Sequence, residues 1–104
     1  MFRLVLTGTA LDDLNHIARY IHGETGSVAT AWAFVEKLTA KPCSLAASSF
    51  ELGRLRDELG PGFRRTVLGN YLIITRYQGE ELLVLRFVEG HRALAPLFDD
   101  TPGT

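Results

Sequence analysis

The sequence holds a single cysteine, Cys43, so it can build neither an intrachain disulfide nor a zinc site made of cysteines. A reducing compartment fits, and we expect a cytoplasmic protein. No apolar run approaches the roughly 20 residues needed to cross a bilayer, so no membrane partner is expected. Phe2 to Leu6 is too short for a secretory core, and Asp12-Asp13 soon follow it. Net charge is nearly absent, eleven Lys and Arg against twelve Asp and Glu, which argues against nucleic-acid binding driven by bulk charge. His16, His22 and His91 have no metal-ligand spacing. Gly60-Pro61-Gly62 and Gly69-Asn70 are turns, because no helix start with Lys-Ser/Thr follows them as in a phosphate loop. Neither metal nor cofactor is expected.

What is present is an ordinary globular composition, 46% hydrophobic and 22% charged over 104 residues, enough for one domain with a real core. We expect that domain to span residues 1–98, with 99–104 as a flexible C-terminal tail. The cations are uneven. Nine are Arg and two are Lys, and seven of the eleven lie between Arg54 and Arg92. Arginine suits planar, two-pronged contacts to carboxylate or phosphate better than lysine does.

The pattern along the chain predicts β-α-α-β-β-β. Phe2 to Leu6 alternates weakly as a short strand, and Thr7-Gly8-Thr9 offers N-cap hydroxyls. Ala10, Leu14, Ile17, Ala18 and Ile21 then recur at helical spacing. Asp12 and Asp13 are expected in the first turn, where the helix dipole favours carboxylates. Gly26 should end that helix and Ser27 cap a second one. The second helix has its own stripe of Val28, Ala31, Trp32, Val35 and Leu38, continued by Leu45. Trp32 is expected in the core or in helix–sheet packing, and Pro42 to kink the helix or end its regular bonding.

A loop of about sixteen residues, Ala47 to Gly62, precedes three strands, long for a small domain. Phe63 to Val67, Tyr71 to Tyr77 and Leu82 to Val88 are rich in β-branched, aromatic and leucine side chains. Gly69 and Gly79 sit in the connections, where positive φ is needed. The reading is α+β, a helical hairpin packed on a small curved antiparallel sheet. The first strand must join that sheet, but the pattern does not say beside which strand.

An ordered set of residues resembles the ParE branch of the ParE/RelE toxin superfamily. It begins with Thr7, Ala10, Asp13, Leu14, Ile17, Tyr20 and Ile21 on the first helix, then Ala31, Leu38 and Leu45-Ala46 on the second. It continues through Gly53-Arg54, Asp57-Glu58-Leu59, Arg64, Gly69-Asn70-Tyr71, Ile74, Arg76-Tyr77 and Val84-Leu85-Arg86 to Gly90 and Arg92. The resemblance implies a toxin of a bacterial type II toxin–antitoxin pair. ParE-like members poison DNA gyrase and stabilise its cleaved complex, whereas RelE-like members cleave mRNA in the ribosome. Both are silenced by an antitoxin whose C-terminal segment wraps the toxin, so operator DNA is reached only through that partner.

Two sets of site residues follow. Under the gyrase reading no catalytic set is needed; Arg54, Arg56 and Arg65 are the expected antitoxin contacts, and Arg76, Arg86 and Arg92 the target contacts. Under the ribonuclease reading Arg64, Arg86 and His91 would serve, since cleavage without metal needs cations on phosphate and an acid–base pair. The bland reading of Arg64 and Arg86 is pairing with a nearby acid that holds the sheet together. The near-neutral charge favours the gyrase reading, because work against ribosomal RNA calls for excess cation. A third reading is an inactive module that only binds its antitoxin.

Overall fold

A computed structural model describes residues 1–90. Seven elements follow in order: β1 (Arg3–Leu6), α1 (Gly8–Thr25), α2 (Val28–Ala47), β2 (Arg54–Leu55), β3 (Phe63–Leu68), β4 (Tyr71–Gln78) and β5 (Glu81–Glu89). The two helices pack on a five-stranded sheet of order β1-β5-β4-β3-β2. The α+β reading with its strand, helical hairpin and meander is what the chain forms.

The helix boundaries follow from capping. Thr7 stays extended and its hydroxyl accepts from the Ala10 amide at 3.2 Å, taking up one of the free donors of the first turn. The same hydroxyl donates to the Val84 carbonyl at 2.9 Å, which pins the start of α1 to β5. Gly26 closes α1 with φ 67°, its amide bonded to the His22 carbonyl, and Ser27 caps α2 by accepting from the Thr30 amide at 3.1 Å. Pro42 does not end α2: the helix runs on to Ala47 with Pro42 buried inside it. Its missing amide removes one bond, and packing holds the last turn together.

Two-residue loops join the meander strands, Gly69-Asn70 between β3 and β4 and Gly79-Glu80 between β4 and β5. In each the glycine comes first and alone has positive φ, 59° and 61°, as a II′ hairpin requires. The sheet departs from the expected antiparallel form at both ends. β1 runs parallel to β5, Arg3 opposite Glu81 and Leu6 opposite Val84, because α1 and α2 carry the chain across the sheet and back before the meander begins. At the far edge Arg54 and Leu55, expected in the long loop, pair with Arg65 and Arg64 as β2.

The β4–β5 register jumps from Ile74 opposite Arg86 to Thr75 opposite Val84, leaving Leu85 as a bulge. Alternation along β5 is thereby reset. Val84 and Phe87 both reach the helix side, where they join Ala10, Leu14, Ile17, Leu38, Tyr71 and Ile73 in the main core. Leu38 is fully buried, a burial that contributes about 2 kcal/mol. A second cluster under the end of α2 joins Leu45 and Ala46 to Leu82, Leu4, Phe2 and Tyr77. The sheet face turned away from the helices carries Leu72, Ile74 and Val88, flanked by Leu59, Phe63 and Leu85.

Candidate functional site

Two surfaces stand out. The first lies between the helices. Leu11, Leu14 and Ala18 of α1 and Val28, Trp32 and Val35 of α2 line a groove of about 530 Å³, bordered by Asn15, Arg19 and His22. Trp32 is 63% exposed and Val28 60% exposed, so both are corrections to the expected core stripe. The buried stripe of α2 is narrower, Ala31, Leu38, Pro42, Leu45 and Ala46. Phe34, which the stripe omits, takes the inward position and packs edge-on to Tyr71. Val28 and Trp32 are four residues apart and so share a face, one step round the helix from the buried face. A second row of large apolar residues beside a complete stripe was the available sign of this groove.

The second surface is the sheet face opposite the helices. Directly paired residues share a face, so the register decides which arginines stand there. Arg65 is opposite Ile74, Arg54 opposite Arg65, and Arg76 opposite Phe63. Arg54, Arg65 and Arg76 therefore share the face of Leu72 and Ile74. Arg54 and Arg76 are exposed and Arg65 half-buried.

Arg64 is turned to the helix side. Its Nη1 donates to the Gly53 carbonyl at 3.0 Å and its Nη2 to Glu51 at 3.3 Å, and the guanidinium lies over the Tyr77 ring. These contacts tie the loop after α2 to the sheet, helped by the Tyr77 hydroxyl accepting from the Leu52 amide at 2.9 Å. Arg56 is half-buried and pairs with Glu58. The Glu58 carboxyl is held below the usual carboxylate range, first by its own backbone amide, then by Arg56.

Arg86 has a different surrounding. Its Nε meets Asp13 Oδ2 at 2.7 Å and its Nη2 meets Oδ1 at 3.0 Å, while the Phe87 amide donates to Oδ2 at 2.9 Å. Asp13 is 9% exposed. The hydrogen bonds that Arg86 donates to Asp13 hold the guanidinium above its ordinary pKa. This corrects the reading of Asp12 and Asp13 as first-turn carboxylates: α1 starts at Gly8, and its first turn contains no acid. Asp12 is exposed and Asp13 buried, because successive helix positions turn by about 100°. Sequence alone could not pair Asp13 with Arg86, since 73 residues separate them. The bulge at Leu85 re-aims Arg86 toward α1.

The candidates thus divide. Arg54, Arg65 and Arg76 come together on the sheet face turned away from the helices, whereas Arg64 and Arg86 turn to separate partners on the helix side. His91 and Arg92 lie outside the described residues. Among the described residues no group of His, Cys, Asp or Glu is arranged to hold a metal, and no helix is long and apolar enough to cross a membrane.

A strand, a helical hairpin and a mixed-sheet meander, with an apolar groove between the helices and arginines on the sheet face turned away from them, define a small α+β module. The chain belongs to the ParE toxin family of type II toxin–antitoxin systems (parDE), whose family model matches residues 4–94. Its fold is similar to that of a chain solved in the chromosomal ParDE toxin–antitoxin system from P. aeruginosa, with a TM-score of 0.75 and 22% identity. The match covers 88% of this chain and 98% of that one. No curated protein matches the sequence.

Proposed function

We propose that this ParE toxin acts in the cytoplasm by binding DNA gyrase and stabilising its cleaved DNA complex, and that a cognate antitoxin silences it. Membership of the ParE family carries this reading. The disposition of the arginines supports it: Arg64 and Arg86, two of the three groups a ribonuclease would need, are bonded to Gly53, Glu51 and Asp13 and point to different partners. A toxin that works by binding another protein needs no such set.

The apolar groove between α1 and α2 suits the antitoxin. An amphipathic helix presents apolar side chains at i, i+3, i+4 and i+7 to a groove of this kind, and Leu11, Val28 and Trp32 are large, exposed and adjacent to it. Arg54, Arg56 and Arg65 would meet acidic side chains of the segment as it continues round the sheet edge. Arg76 and Arg92, with Arg86 once its partner is displaced, are the remaining candidates for gyrase contact.

The test is a supercoiling assay with gyrase, ATP, plasmid and purified toxin, stopped with protein denaturant to trap cleaved DNA. Linear plasmid should accumulate with toxin and disappear when antitoxin is added. Normal supercoiling without cleaved DNA would overturn the gyrase reading. A translation extract would then test mRNA cleavage by a RelE-like activity, and growth unaffected by strong expression would mark an inactive antitoxin-binding module.

A further inference from the structure

The groove between α1 and α2 is uneven along its length. Two of the side chains that line it are alanines, Ala18 on α1 and Ala31 on α2, set among Leu11, Val35 and Trp32. Ala31 is buried and Ala18 half-buried, whereas Trp32 stands exposed. A single methyl among large neighbours leaves a hole, and an interlocking helix fills such a hole with one large side chain. The floor is therefore shaped for a knob and walled by an indole.

The same groove carries charge of one sign. Arg19 and His22 border it, and among the described residues no carboxylate lines it. His22 lies in the last turn of α1, where the helix dipole favours a cation. That effect fades within a turn, so it does not account for Arg19, which stands a turn earlier. Nor does α1 neutralise Arg19: the positions three and four residues away are Asn15, His16, His22 and Gly23, none of them acidic. Arg19 is exposed, and among the described residues it makes no ion pair.

Taking the groove as the antitoxin's seat, as proposed above, we infer that it recognises one pair of side chains on a helical antitoxin segment. A large apolar residue sits over Ala18 and Ala31 against Trp32, and a carboxylate three or four residues from it meets Arg19. The spacing follows from helix geometry. Arg19 directly follows Ala18, and residues three or four apart on the partner helix are neighbours on one face, about 5–6 Å from each other. A carboxylate so placed lies within reach of the guanidinium, which can grip it with two parallel bonds. A wholly apolar or basic helix would leave Arg19 without a counter-charge at the contact. This recognition concerns the toxin–antitoxin contact alone and is independent of gyrase.

The test is calorimetric titration of the full-length toxin with its cognate antitoxin, each variant first shown to be folded by circular dichroism. Ala18→Leu, which fills the hole, and Arg19→Glu should each weaken binding about tenfold or more. Arg19→Lys keeps the charge and should stay within about threefold of the parent. Arg19 is exposed, so its variants carry the test even if Ala18→Leu does not fold. Against Arg19→Glu, antitoxin acids changed to Arg one at a time should recover most of the loss at one position, three or four residues from a large apolar residue. Unchanged affinity in a folded Ala18→Leu or in Arg19→Glu, or no recovery at any acid, would overturn the pair. Trp32→Ala separates the two ways of failing. A loss there with none at Ala18 and Arg19 keeps the antitoxin in the groove without this pair, whereas no loss in any of the three removes the antitoxin from the groove altogether.

Discussion

Asp13 on α1 accepts both prongs of the Arg86 guanidinium and the backbone amide of Phe87, so one carboxylate fixes the helix, the arginine and the bulged strand together. A half-exposed ion pair contributes little to stability. This one is different, because the carboxylate is nearly buried and both oxygens are bonded. Its loss would strand a charge beneath α1.

Asp13→Ala is therefore expected to cost about 3 kcal/mol, the penalty of leaving a mostly buried partner uncompensated. Arg86→Lys should cost nearly as much, since an ammonium cannot reproduce the two-pronged contact. The Asp13→Leu/Arg86→Leu double variant should lose less than the sum of its single changes. Urea denaturation of the parent, Asp13→Leu, Arg86→Leu and the double variant checks this, and strict additivity would refute the coupling.

Thr7→Ala removes the α1 cap and the hydroxyl bond to the Val84 carbonyl. The expected loss is about 1–2 kcal/mol. Thr7→Ser keeps the hydroxyl and should stay within about 0.5 kcal/mol of the parent. Thermal unfolding followed by circular dichroism separates the two.

At Trp32, binding and stability should part company. The indole is mostly exposed, so Trp32→Ala should leave the unfolding free energy within about 1 kcal/mol of the parent. If the groove receives the antitoxin, affinity should fall by about 30-fold or more, the scale of an aromatic anchor worth about 2 kcal/mol. Calorimetric titration of the cognate antitoxin decides it. Undiminished affinity would move the contact elsewhere.

Arg54→Glu with Arg56→Glu addresses the other set of expected contacts. Antitoxin affinity should drop and its dependence on salt should flatten, as charge pairs are lost from the interface. The same titration at two ionic strengths gives both quantities. Unchanged affinity would remove these residues from the interface.

Tyr71 supplies a pH dependence. Burial, followed by the nearby Glu89 and Tyr20, holds its phenol above the ordinary value of about 10. A raised folded-state pKa means that the folded chain keeps this proton longer than the unfolded one. The associated stability is complete below the unfolded value and is lost as pH rises through the folded one. Unfolding free energy above pH of about 10 should thus fall more steeply for the parent than for Tyr71→Phe. Denaturant melts across the alkaline range, beside a phenolate absorbance titration, test the sign.

Local chemistry determined much of this protein. Thr7, Gly26 and Ser27 set the helix ends, Gly69 and Gly79 set two hairpins, and alternation from Phe63 to Val88 set the meander, because caps, positive φ and period-two patterning act over a few residues. The ordered family residues, spread along the same chain, were legible for the same reason. Tertiary structure decided what depends on partners far apart in sequence. It placed β1 parallel to β5, made Asp13 the buried partner of Arg86, turned Trp32 outward into a groove, and sorted Arg54, Arg65 and Arg76 from Arg64 by face. One bulged residue or one step round a helix redirects a side chain, and only the packed neighbours select the direction.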